Sequence, residues 1–379
     1  MKLTHLYKVS AMALALGSTA LLSGCASTGS GDTAMVAGKE YLLTSSRPNL
    51  LHVVDVETNQ LLRSCKIPGI FGSNSIVSSP DGRIAYVLTN KWEDIYGFDI
   101  TSCEKVFSAK QSYKNVQIKT IISLALSPDG EELYTVQNPV VKHADRFEVQ
   151  QPRLAVFNTA DGLDAKAKRF YPVDRRITKI GTMGNGEVIL GGADLKAIDP
   201  QTGDIRLLKK LQNWQRPADK WVAPDAFAMQ AQGEHVGEYI LPYFTIKWNG
   251  APGEMEKAEF WWGMNRIDLA SGKLESNELV PFEFIFFNLV TDPNNPDIVY
   301  GAFNNLSKHS VGQQKTLATE DLDHTYYTIN MTRDGSRLYV GGTSSDISIH
   351  DPETLKKVGS IQLPGDMSTA DMRIARLRN

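Results

Sequence analysis

"SIVSSPDGRIAYVLTN", Ser75 to Asn90, returns 48 residues later as "SLALSPDGEELYTVQN", Ser123 to Asn138. In "SPDG" the proline presets the first turn position, Asp suits the second, and Gly supplies the left-handed residue that closes a hairpin. Each phrase is therefore a corner between two antiparallel strands. Around the corners run short β-branched or aromatic stretches bounded by turn residues, among them "IAYVLT", "DIYGFDI", "ELYTVQ", "RLAVFN", "RLYVGG" and "DISIHD". No amphipathic helix of about ten residues interrupts them.

A second marker is an apolar strand ending in Asp or Asn, then a turn and another strand. It falls at Asp55, Asp99, Asn158, Asp199, Asp268 and Asp351, with a degenerate copy, "NNLSKHSVGQQK", before the last. Seven copies at about 49 residues apiece indicate a propeller or a similar array. Each unit carries four strands, so the expected fold is all-β, a seven-bladed β-propeller. The first unit shows only three strands, whereas a surplus one, "STADMRIARL", follows the last. Residues 368–377 are thus expected to complete blade 1 and close the ring, leaving no long edge exposed.

The chain has 379 residues, 42% apolar and 22% charged, with 40 basic and 43 acidic side chains. A formal charge of -3 offers no basic stripe for phosphates, which argues against a nucleic-acid partner. Residues 1–24 differ from the rest. Lys2 and Lys8 precede an apolar run, Val9 to Leu22, that is too short and Ala-rich to span a bilayer, and "LLSGCAS" follows. This reads as an export signal ending in a bacterial lipobox, with Cys25 as the lipidated residue and Ala26 fitting outer-membrane sorting. Residues 25–39 read as a flexible tether and 40–379 as the propeller. The expected location is the periplasm, on an outer-membrane lipid anchor.

Cys65 falls in the outermost strand of blade 1 and Cys103 in the turn entering the outermost strand of blade 2. Aligned by repeat they differ by six residues, or ~20 Å at about 3.3 Å each. A bridge tolerates roughly 4.4 to 6.8 Å, so the pair is expected to stay unbridged.

No haem-attachment, P-loop, nucleophile-elbow or zinc-protease motif is present. The histidines after the signal, His52, His143, His235, His309, His324 and His350, are too scattered to suggest a metal site. "DLDH", Asp321 to His324, reads as a solvated loop rather than a cation site, and the repeated aspartates read as turn caps rather than general bases. Aromatic placement is more informative. The longest insertions are Asn138 to Pro152, Lys247 to Lys257 and Leu211 to Asp225. Because strands alternate direction, all three emerge on one face, carrying Trp92, Phe147, Trp214, Trp221 and Trp248. Such enrichment marks a docking surface. Trp261 and Trp262, inside a strand, are expected in the core.

Four stretches carry a family resemblance: "YLLTSSRPNLLHVVDVET" (Tyr41 to Thr58), "RFEVQQPRLAVFNTADG" (Arg146 to Gly162), "HTYYTINMTRDGS" (His324 to Ser336) and "DPETLKKVGSIQLPGDMS" (Asp351 to Ser368). Across nearly the whole region from Tyr41 to Leu377 the chain resembles the β subunit of quinohemoprotein amine dehydrogenase, which is similar in architecture to the heavy chain of methylamine dehydrogenase. The resemblance implies a seven-bladed propeller with no cofactor of its own and no complete active site, and it supplies no catalytic residue to carry over to this chain. In a heterotrimer it would hold a small subunit bearing cysteine tryptophylquinone and a dihaem cytochrome c subunit bearing haem c, which together oxidise primary amines to aldehyde and ammonia. The lipobox and the Cys65 and Cys103 pair depart from the family pattern. Two other functions fit a propeller of this kind: a stand-alone envelope lipoprotein serving as a protein-binding platform, and a lactonase-type hydrolase. The latter needs acid/base residues converging at the channel mouth, and none stands out in the sequence.

Overall fold

The computed structural model describes residues 34–378 apart from 73–74, 213 and 227–232. Cys25, the signal and most of the tether lie outside the described residues. Seven antiparallel sheets form a ring of blades. The innermost strands are Met372–Arg376 in blade 1, Ser75–Ser78, Ala125–Leu126, Lys179–Thr182, Asp225–Ala226, Asn288–Asp292, and Thr328–Met331 in blade 7. From each but the first the chain steps outward through three further strands, as in blade 2 with Ile84–Thr89, Asp94–Asp99 and Lys105–Lys110; in blade 1 the three outer strands come from the start of the chain, Glu40–Ser46, Leu50–Asp55 and Gln60–Lys66.

Ring closure follows the expected route. The C-terminal strand pairs antiparallel with Glu40–Ser46, and beyond it Gly38 N–H donates to Leu377 O at 2.7 Å while Leu377 N–H donates to Lys39 O at 3.0 Å. Both chain ends are thereby tied into one sheet. The core is divided among seven apolar clusters, one at each junction between neighbouring blades. Period-2 patterning explains this division, since successive side chains point to opposite faces. In blade 1, Tyr41 and Leu43 pack toward blade 2, whereas Leu42 packs toward blade 7.

Turn chemistry fixes the corners. Gly82 N–H donates to Ser79 O at 2.8 Å, and Gly130 N–H to Ser127 O at 2.9 Å. Gly82 has φ +72°, and a Cβ there would lie 2.2 Å from Arg376 O, so the corner of blade 2 abuts the closing strand. The marker aspartates cap the outer turns: Asp55, Asp99, Asp199, Asp268 and Asp351 each accept a backbone N–H two or three residues on, at 2.7–2.8 Å. In the degenerate copy Ser310 Oγ takes that place, accepting Gln313 N–H at 3.1 Å.

One expectation is overturned. Cys65 and Cys103 form a disulfide, with Cα atoms 5.2 Å apart. The ~20 Å estimate treated the outer strands of neighbouring blades as parallel. Sheets twist by roughly 20–25° per strand, so over three steps the fourth strand is turned by ~60–75° from the first. The outer strand of blade 1 leans across the outer turn of blade 2, where Arg63 donates to Thr101 O and both cysteines pack in one cluster with Tyr96 and Phe98.

Candidate functional site

Turns between the first and second, and the third and fourth, strands lie on one side of the disc, the corner face. Loops between the second and third strands, and connections between blades, lie on the other, the loop face. The loop face is enlarged by two projections. In blade 3 the strand Glu132–Lys142 outruns its blade, and its last residues pair instead with Val116–Lys119 and Phe147–Val149. In blade 5, Glu238–Trp248 and Ala258–Asp268 form a hairpin paired along its whole length, from Glu238–Asp268 to Trp248–Ala258. At about 3.4 Å per residue, its eleven-residue strands rise well above the four-to-six-residue strands of blade 2.

The five aromatic docking candidates occupy different settings on this face. Phe147 is 72% exposed at the tip of the blade 3 projection, beside Val149. Trp92 is half-buried against the core between blades 2 and 3. Trp248 is half-buried at the end of the blade 5 hairpin, where its backbone N–H donates to Lys220 O at 2.8 Å. Trp214 and Trp221 hold the Arg216 guanidinium between them, 4.2 and 4.5 Å from the ring centres, and Arg216 pairs with Glu278 at 2.7 Å. Guanidinium and rings attract through the ring quadrupole, so the strap carrying them is held onto blade 5. Trp262 is 5% exposed, as its place inside a strand suggested, and donates to Phe284 O; Trp261 is half-buried.

Exposed apolar side chains are unevenly distributed. Among the described residues, Ile70, Tyr113, Ile121, Phe147, Val149, Met255, Phe282 and Ile285 lie on loops and projections of the loop face, Val36 and Leu163 lie at the corner face, and Phe170, Ile205, Leu207, Leu317 and Val358 lie on outermost strands around the rim of the disc. The "DLDH" loop is tied to blade 7: Asp323 pairs with Lys357 at 2.5 Å, and His324 with Asp346 at 2.8 Å.

A constellation that the sequence did not disclose lies inside the channel. Glu234 and His235, on the short 3-10 turn Glu234–Val236 at the corner of blade 5, reach across the axis. His235 Nε2 contacts Met331 O of blade 7 at 2.6 Å, and Glu234 pairs with Arg373 of blade 1. Arg373 Nε also donates to Asp371 at 2.8 Å and to Ile76 O at 2.9 Å, while Lys179 of blade 4 donates to Ile240 O. Burial pushes the Lys179 ammonium down to about 7, against the pull of Glu234, and pushes the Glu234 carboxyl up, against that of Arg373. Two basic groups, Lys179 and Arg373, thus face two acidic ones, Glu234 and Asp371. Charged residues inside otherwise apolar inner strands, "TKIGT" and "DMRIARL", were the available signal.

No protein-family model matches the chain, and no curated protein matches it. Solved structures similar to it include Kuenenia stuttgartiensis hydrazine synthase, with TM-score 0.52 at 12% identity over 84% of this chain and 90% of that one. Others are dihydro-heme d1 dehydrogenase NirN in complex with DHE, with TM-score 0.51 at 11% identity over 90% and 76%, and apo AztD from Citrobacter koseri, with TM-score 0.51 at 10% over 90% and 98%. At these identities the likeness is one of fold, a β-propeller shared by enzymes and binding proteins.

Proposed function

We propose that this chain is a docking platform that binds protein partners on its loop face and carries no catalytic cofactor. The observation that supports it is the imbalance between the two faces, the loop face carrying most of the exposed apolar and aromatic side chains that lie at either end of the disc, together with two projections that enlarge it. Docking surfaces are enriched in aromatic residues and Arg, and contiguous exposed apolar surface on a folded protein marks an interaction site. For partners we propose the quinone-bearing small subunit and the dihaem cytochrome c subunit of an amine dehydrogenase, on the strength of the four resembling stretches. Cysteine tryptophylquinone and haem c would then reside in those subunits. The platform's contribution would be positional: it would hold the quinone subunit against the cytochrome at fixed distance and shield the substrate pocket from water. Export to the periplasm and lipid attachment through Cys25 belong to the same proposal.

The channel constellation does not favour the hydrolase alternative. Both carboxylates that could act as a base, Glu234 and Asp371, are paired with Arg373.

Isolation of the native complex from the producing cell tests the reading. Haem absorbance, quinone redox staining and amine-dependent dye reduction in the purified assembly are the expected result. A stable complex lacking all three would exclude the dehydrogenase and leave the stand-alone platform. A chain recovered alone, with no stoichiometric partner, would exclude both.

A further inference from the structure

A cavity of about 340 Å³ opens where the channel meets the corner face, on the side of the disc away from the docking surface. Its volume is at the small end of the range for small-molecule pockets, roughly 300–1,000 Å³. Four arginines line it, Arg333, Arg373, Arg376 and Arg378, against one carboxylate, Glu234.

The two depths of the cavity differ in their charge balance. At the bottom, Arg373 is matched by Glu234 and Asp371, and Lys179 stands behind them. At the rim, Arg333 pairs with Glu40 at 3.0 Å, whereas Arg376 feels Glu40 only at longer range and neither Arg376 nor Arg378 meets a carboxylate within salt-bridge distance among the described residues. Among the described residues, Arg376 Nε donates to the Gly38 carbonyl at 3.1 Å. Burial pushes the Arg333 guanidinium below its usual value, and the nearness of Arg378 and Arg376 adds to that shift against the pull of Glu40. Three guanidinium groups crowd one opening, so an anion entering there relieves mutual repulsion. Guanidinium groups match the oxygens of carboxylate and phosphate with paired hydrogen bonds.

We propose that this channel mouth is a binding site for a small oxyanion, a polycarboxylate or a phosphate, held by Arg333, Arg376 and Arg378 at the rim. The site is independent of the docking face, and its loss and the loss of partner capture are separate readouts.

Calorimetric titration of the full chain at low ionic strength with citrate, succinate and inorganic phosphate, against sodium chloride of matched ionic strength, provides the test. Saturable binding of at least one oxyanion is expected. The double variant Arg333→Gln/Arg378→Gln weakens it by roughly tenfold or more, and Lys142→Gln on the loop face leaves it unchanged. Arg378→Gln alone, at an exposed position, retains the test if loss of the Arg333–Glu40 pair impairs folding. Citrate preferred over phosphate identifies a polycarboxylate site, and equal affinities identify a site for a single oxyanion group. No saturable heat beyond the chloride control overturns the proposal, as does unweakened binding by the folded variants.

Discussion

The two faces of the disc are built from the same seven repeats and differ in nearly everything else. The corner face is made mostly of short turns such as Ser79–Gly82 and Ser127–Gly130, closed by hydrogen bonds within four or five residues, and the channel mouth that opens on it is lined by arginines. The loop face carries the long connections, two projections and most of the exposed apolar side chains. A propeller blade must close its corners tightly because the inner strands crowd the axis. It is free to lengthen loops on the other side, where chain escapes into solvent at little cost, since each doubling of a loop costs only about 0.6 kcal/mol. Repetition therefore constrains one face and leaves the other open to acquire a partner.

That contrast can be broken most severely from inside the channel. Arg373→Met leaves Asp371 buried and Glu234 half-buried without their shared cation, and a stability loss of roughly 3 kcal/mol is expected in chemical denaturation. A loss under about 1 kcal/mol would mean that the channel charges are hydrated rather than mutually paired.

The disulfide tests the outer edge. Cys65→Ser removes a bridge between positions 38 apart in sequence, and the loop-entropy relation gives a loss of about 4 kcal/mol. The same shift in the unfolding midpoint should appear when the native protein is fully reduced, and reduction should add nothing to the variant.

Acid sensitivity comes next. His52 and His309 sit in the third strands of blades 1 and 6, and burial lowers each to about 4 from an ordinary value near 6.5. Below pH 6.5 the unfolded chain takes up these protons while the folded protein does not, so stability falls as pH drops from about 6.5 to 4 and levels off below. Each histidine contributes on the order of 3 kcal/mol to that fall, at about 1.4 kcal/mol per unit. His52→Gln should flatten the pH dependence of the midpoint across this window, and an unchanged slope would show that His52 is already protonated in the fold.

The smallest effect on folding belongs to the loop face. Phe147→Asp, at a tip position, should change stability by no more than about 0.5 kcal/mol. It should nevertheless weaken capture of the native partner in pull-down by tenfold or more, because apolar anchors dominate interface energy. Equal capture by variant and wild type would move the docking surface away from the blade 3 projection.

What could be read in advance was whatever depends on neighbours in sequence. Ser79 to Gly82, the marker aspartates and the seven-fold period specify hairpin corners, outer turn caps and blade number through bonds spanning two to five residues. The surplus strand around Met372–Arg376 was legible because the first blade was visibly one strand short. Trp262 could be assigned to the core from its place in an alternating strand, and Phe147 to a projection from the length of its insertion.

The remaining features could not be read in this way. The Cys65–Cys103 bridge depends on twist accumulated across a blade, which no count of residues along a strand contains. The channel quartet joins Glu234 to Arg373 over 139 residues and Lys179 to both, and only closure of the ring places blades 1, 4 and 5 around one axis. The arginine-lined mouth arises in the same way, from corners of blades that are distant in the chain. Local patterning determined the fold of this protein, because turn chemistry and period-2 burial act between near neighbours. The tertiary structure decided which charges meet, because convergence on an axis is a property of the closed ring and of no single blade.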